Sequence, residues 1–143
     1  MINPFVSADD LRQGDGDKES FTVPLAFDAV VANEFFVAEN CQNPELNVGY
    51  FGARRTINRE ENTASVVYGW IGGVNGFTAW QVIDIVGRAD GTEIHTSTHH
   101  WLGSARFVTL AEKWALGSKK CHPSCEWCGD EPHGKTGLHF PQS

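Results

Sequence analysis

The C-terminal segment concentrates the side-chain types that bind zinc. Cys125 and Cys128 are separated by two residues, so both thiolates can reach one tetrahedral ion from a single tight turn. A glycine follows the second cysteine and lets the backbone fold around the sulfurs, and histidines lie further along the chain. The spacing predicts a structural zinc ion bound by Cys125, Cys128 and His133. Either His139 or Cys121 is expected to supply the fourth ligand and to close the shell against water.

The segment from Cys125 to His139 resembles the zinc knuckle of nucleocapsid-type proteins. Cys125, Cys128 and His133 stand at the first three ligand positions of that motif. Leu138 occupies the place of its last cysteine, and His139 lies one residue later. Knuckles that bind RNA are surrounded by basic residues, whereas this segment is acidic. The resemblance therefore implies a metal site more than it implies RNA binding.

A second candidate site involves a carboxylate within a strand-like run. Asp84 shares one face of that run with Trp80 and other apolar residues, and a carboxylate there is costly unless it is paired. Pairing with a histidine of the next strand, or with an arginine of the following helix, is the structural interpretation, which we favour. The alternative is a small enzyme that uses Asp84 with His95, His99 or His100 as an acid–base pair in a Trp-lined pocket.

The hydrophobic pattern predicts an α+β fold: an antiparallel meander of about four strands with two helices and a C-terminal zinc-binding tail. Short links that contain Asn-Gly and Asp-Gly are typical of hairpins and place consecutive strands side by side. Apolar residues at helical spacing, with Pro24 and Ser104 near the starts, indicate the two helices. The strands are expected at roughly residues 48–58, 64–71, 77–87 and 92–101, and the helices at 24–39 and 104–116.

The composition divides the 143-residue chain into three parts. Residues 1–20 are polar and acidic and are interpreted as an N-terminal arm. Residues 21–118 carry the apolar periodicity and are expected to form the folded body. Residues 119–143 change abruptly to Cys, His, Pro and Gly and are expected to form the zinc-binding tail. Metal binding can supply the folding energy that so polar a segment lacks.

Charge and hydropathy narrow the classes of function. The formal net charge of −7 repels phosphate backbones and anionic lipid, which disfavours nucleic-acid partners. No apolar run is long enough to span a bilayer, and the first residues lack the pattern of a signal peptide. We therefore expect an intracellular, cytoplasmic protein, or one within a particle assembled there.

These features together predict a non-catalytic binding or assembly protein whose zinc-bound tail docks a macromolecular partner. A protein partner or a second copy of the chain is the expected occupant, and no membrane contact is expected. Two alternatives stay open. One is the small enzyme built on Asp84 and a histidine, and the other is a nucleic-acid-binding accessory protein that uses the knuckle-like tail, with Trp127 and Phe140 as stacking platforms.

Overall fold

The computed structural model describes residues 7–40, 50–71, 77–99 and 104–119 of the chain. The N-terminal helix continues directly into a π-helical turn. In chain order they are α1 (Ala8–Asp10), the π-helical turn (Leu11–Asp15), β1 (Gly16–Val23), α2 (Phe27–Asn40), β2 (Tyr50–Asn58), β3 (Thr63–Ile71), β4 (Phe77–Arg88), β5 (Gly91–His99) and α3 (Ser104–Ala115).

The strands form one antiparallel sheet of five strands in the order β1-β5-β4-β3-β2. Strands β2 to β5 are consecutive neighbours, whereas β1 lies beside β5 at the far edge. The turn between β4 and β5 requires Gly91, whose φ is +156° and where a Cβ would lie 2.7 Å from the Val23 carbonyl oxygen. A side chain at that position would therefore disturb both the turn and the adjacent end of β1.

Helices α2 and α3 pack on one side of the sheet, which we call the covered face. Residues on α2 recur every three or four positions and form a buried stripe: Phe27, Val30, Val31, Glu34, Val37 and Ala38. From α3, Trp114 is buried, with its ring centroid 5.3 Å from that of Tyr68 on β3. The central strands complete this core with Ile83, Ile85 and Ile94.

The opposite side of the sheet, which we call the open face, is covered only where the N-terminal segment crosses it, as far as the described residues show. Leu11 is 0% exposed and packs against Ala79 and Val82 of β4 in a second, smaller apolar cluster. The Lys18 ammonium donates a hydrogen bond of 2.7 Å to the Leu11 carbonyl oxygen. Residues 8–15 are therefore part of the folded body and are fixed to the sheet.

The predicted α+β fold, with a meander of about four strands and two helices, is wrong. The sheet has five strands and is accompanied by three short helices in the part of the chain that the structure describes. The missed strand, β1, lies within the segment assigned partly to an acidic arm. An edge strand can carry charges such as exposed Asp17 and Glu19, because one side of it faces water. The predicted zinc-binding tail lies outside the described residues.

Candidate functional site: a polar row across the open face

Five polar side chains lie in register across the open face, one from each strand. We call them the polar row: Ser20, His95, Asp84, Ser65 and Thr56, in the spatial order of the strands. Each is the direct cross-strand partner of the next, and directly opposed residues in an antiparallel pair project to the same side of the sheet. The row therefore gathers hydroxyl, imidazole and carboxylate groups from residues that are up to 75 positions apart in sequence.

Asp84, in the middle of the row, is bound by an arginine from the N-terminal segment. Arg12 Nε donates to Asp84 Oδ2 at 3.0 Å, and Arg12 Nη2 donates to Oδ1 at 2.9 Å. The Ser65 hydroxyl also donates to Oδ1, and Arg12 Nη1 reaches Asp9 Oδ1 at 3.0 Å. The hydrogen bond to Asp84 is the main cause that raises the pKa of the Arg12 guanidinium. This two-pronged pair fixes the N-terminal segment on the sheet.

His95 belongs to a different set of hydrogen bonds at the β1 edge. The Ser20 hydroxyl lies 2.7 Å from His95 Nδ1, and His95 Nε2 lies 3.1 Å from Glu93 Oε1. Arg88 Nε in turn lies 3.1 Å from Glu93 Oε2. Hydrogen bonds from Arg88 first, and from His95 second, lower the pKa of the Glu93 carboxyl. We call Ser20, His95, Glu93 and Arg88 the relay.

The relay defines the tautomer of the neutral imidazole. An ionised carboxylate can only accept hydrogen bonds, so His95 Nε2 must carry the proton that Glu93 accepts. Nδ1 is then unprotonated and accepts the hydrogen bond that the Ser20 hydroxyl donates. A hydroxyl joined to a base, with that base oriented by a third group, is the arrangement that activates nucleophiles in proteins.

Asp84 and His95 are neighbours on adjacent strands, but no hydrogen bond between them is described. They are cross-strand partners, yet the hydrogen bonds of Asp84 go to Arg12 and Ser65, and those of His95 go to Ser20 and Glu93. Pairing of Asp84 was expected from the sequence, and Arg12 as the partner was not. His99 lies at the far end of β5, opposite Gly16.

Trp80 was expected on the same face of its strand as Asp84, but a β-bulge places it on the opposite face. Tyr68 pairs with Gln81, whereas the next residue, Gly69, pairs with Ala79, so Trp80 is an extra residue on β4. This irregularity breaks the alternation of faces. Trp80 packs against the core of the covered face, and Ala79 joins the cluster beneath Leu11.

The other predicted site residues fall outside the described part of the chain. These are His100 and the predicted zinc ligands Cys121, Cys125, Cys128, His133 and His139. Within the described ranges, no three His, Cys, Asp or Glu side chains gather in a way that could hold a metal ion. The zinc site accordingly stays a prediction that rests on the sequence.

A buried acid on the covered face was not singled out from the sequence. Glu34 is 0% exposed, and neither of its carboxyl oxygens has a hydrogen-bond partner among the described residues. Burial raises the pKa of Glu34 well above its ordinary value. Burial also raises the pKa of Tyr68, with the nearby Glu34 as the second cause. The sequence could have revealed this buried acid, because Glu34 occupies the centre of the apolar stripe of α2.

A cavity of about 470 Å³ lies between the start of α2 and the β4–β5 turn. Its lining includes Phe27, Asp28, Asn62 and Asp90 together with Arg88, the outermost member of the relay. Ser20, His95 and Asp84 do not line it. The polar row is therefore a feature of a sheet surface and not of this pocket.

Comparison with known proteins gives no relatives for this chain: no protein-family model, curated protein or solved structure matches it. None of the helices in the described ranges has the length and apolar character needed to cross a membrane.

Proposed function

We propose that this chain is a non-catalytic binding or assembly protein whose C-terminal tail folds around zinc and docks a protein partner. The bidentate pair of Arg12 and Asp84 supports the non-catalytic part most directly. The carboxylate that the enzyme alternative requires is engaged in holding the N-terminal segment. It makes no hydrogen bond to His95, the described histidine directly across from it.

The region where the tail begins supports a docking role. Lys119 lies with its Nζ 5.4 Å from the centroid of the Phe36 ring, so the chain leaves the body beside α2. Phe36 is 39% exposed and Leu116 at the end of α3 is 53% exposed. Large exposed apolar side chains at the point where the tail begins offer a partner an anchor. The acidic net charge of −7 favours a protein partner over nucleic acid.

The proposed compartment follows from the proposed metal. Cysteines must stay reduced to bind zinc, and the thiols of intracellular proteins are kept reduced. An intracellular location, or a particle assembled there, therefore fits a tail that contains Cys121, Cys125 and Cys128.

A pair of cysteine variants tests this function. Cys128→Ser removes a proposed zinc ligand, whereas Cys41→Ser changes a cysteine outside the proposed ligand set. We expect the unaltered chain and Cys41→Ser to retain zinc and to sediment as a complex with a protein partner or with further copies. Cys128→Ser should lose both while keeping the circular dichroism of the sheet. A strictly monomeric, zinc-free unaltered chain would contradict the proposal.

A further inference from the structure

The relay on the open face suggests chemistry that is independent of the tail and of the proposed function. From its geometry we propose that Ser20 is an activated hydroxyl that accepts an acyl group from small activated esters or thioesters. The 2.7 Å contact between Ser20 Oγ and His95 Nδ1 places a hydroxyl directly on a base. A nucleophile, a base and an orienting group stand in sequence along Ser20, His95 and Glu93.

The orientation of the imidazole makes Nδ1 the basic nitrogen. Glu93 accepts the Nε2 proton at 3.1 Å, and Arg88 holds Glu93 in place through both of its oxygens, at 3.1 and 3.2 Å. When His95 takes up a second proton, the imidazolium faces Glu93 on its own strand and Asp84 on the neighbouring strand. The hydrogen bond from Nε2 to Glu93 holds the ring with Nδ1 towards the Ser20 hydroxyl.

The acyl transfer is balanced without any oxidant or reductant. Ser20 Oγ forms a bond to the carbonyl carbon of the donor while its proton moves to His95 Nδ1. The bond from that carbon to the leaving oxygen or sulfur then breaks, and the leaving group takes the proton from Nδ1. The products are an ester on Ser20 and the free alcohol or thiol.

Two other hydroxyls on this face have different neighbours. The Ser65 hydroxyl donates to the carboxylate of Asp84, and Thr22 lies two residues from Ser20 on β1 opposite Glu93 and not opposite His95. Ser20 is exposed, so a donor can approach it from solvent. Because Ser20 and His95 lie on a sheet surface and do not line the described cavity, we expect slow acylation of one side chain and not rapid turnover.

Labelling of the full chain with p-nitrophenyl acetate tests this inference. Peptide mapping by mass spectrometry should find acetyl on Ser20 and should find none in Ser20→Ala. His95→Gln should slow acetylation of Ser20 by about 100-fold, at the lower end of what a positioned general base contributes. Glu93→Gln should slow it as well, since an amide can donate to Nε2 and thereby reverse the tautomer.

The matched control is Thr22→Ser, which places a second primary hydroxyl on the same face of β1 without an imidazole partner. Ser20 should be acetylated much faster than position 22 within that one molecule, and the comparison does not depend on any variant of the relay being stable. Equal labelling at the two positions, or labelling of Ser20 that is unchanged in His95→Gln, would overturn the proposal.

Discussion

Carboxyl groups on the two faces of the sheet have different surroundings. On the open face, where water can solvate them, Asp84 is paired with Arg12, and Glu93 with Arg88 and His95. On the covered face, Glu34 is fully buried, and its carboxyl oxygens have no hydrogen-bond partner among the described residues. Solvated pairs contribute little energy but hold side chains in defined positions. A buried acid without hydrogen-bond partners destabilises the folded state.

The covered face supplies most of the stability of the fold, whereas the open face carries the ordered polar groups. The covered face buries Trp114, Ile83 and their neighbours, and the free energy of folding comes mainly from such apolar burial. The open face contributes one small apolar cluster, around Leu11, and otherwise an ordered set of polar groups. We therefore expect substitutions on the covered face to change the free energy of unfolding, and those on the open face to change local order and reactivity.

The largest expected effect is the loss of Trp114. Trp114→Ala removes a side chain that is 1% exposed and that packs against the Tyr68 ring, so the free energy of unfolding should fall by about 3–5 kcal/mol. Thr56→Ala, at the exposed end of the polar row, should stay within about 0.5 kcal/mol. Urea denaturation followed by tryptophan fluorescence measures both. Similar losses in the two variants would remove the distinction between the faces.

Replacing Leu11 tests how firmly the N-terminal segment is attached to the sheet. Leu11→Ala should cost about 2–4 kcal/mol if the segment is as integral as its complete burial indicates. Hydrogen exchange should show faster exchange at the amides of residues 8–15 while the core of the covered face stays protected. A loss below about 0.5 kcal/mol, with unchanged exchange, would mean that the segment only lies against the sheet.

Glu34→Leu should stabilise the protein by about 1–3 kcal/mol near neutral pH, since it replaces an unpartnered buried acid with an apolar side chain. The pKa of Glu34 is raised in the folded state above the ordinary 4.5. Below that ordinary value the carboxyl is protonated in both states and contributes no pH-dependent penalty. As the pH rises, the unfolded chain loses the proton first, so the stability of the unaltered protein falls until the raised pKa is passed.

The gain from Glu34→Leu should therefore grow between about pH 4 and pH 7. Thermal denaturation at both pH values measures it, and Glu112→Leu on the exposed side of α3 is the matched control, expected to show no such growth. A gain that is the same at both pH values would show that Glu34 has a partner in the folded protein.

The smallest expected effect concerns the ion pair on the open face. Asp84→Asn should cost about 1 kcal/mol, because both Asp84 and Arg12 are partly exposed and solvent screens their attraction. The cost should shrink at high salt. Asp9→Asn removes the other, more exposed partner of Arg12 and should have almost no effect. A large, salt-independent loss in Asp84→Asn would show that the pair is effectively buried.

The sequence predicted local features better than the arrangement built from them. Strands β2 to β5 and helices α2 and α3 lie close to the predicted ranges, because hydrophobic runs and Asp-Gly or Asn-Gly turns are local signals. Strand β1 was missed, since an edge strand needs few apolar residues. The position of Asp84 within an apolar strand predicted that its carboxylate is paired. The identity of that partner, Arg12, depends on how the N-terminal segment crosses the sheet, 72 residues away.

The bulge at Trp80 and the buried Glu34 differ in how readily the sequence reveals them. The bulge at Trp80 leaves no local pattern, because apolar residues occupy both faces of β4. Only the pairing with β3 reveals the extra residue. Glu34, by contrast, could have been recognised. It stands at the centre of a stripe in which Val30, Val31, Val37 and Ala38 recur at helical spacing, and a charged side chain there is an anomaly by sequence alone.

Native mass spectrometry of the purified full chain, with metal analysis of the same sample, tests the central claim most directly. The account predicts a zinc ion for each chain and a mass larger than that of a single chain, from either a second copy or a stably bound protein. Chelation of the zinc should release the partner and leave the sheet folded. A zinc-free particle with the mass of one chain, unchanged by chelator, would contradict the account.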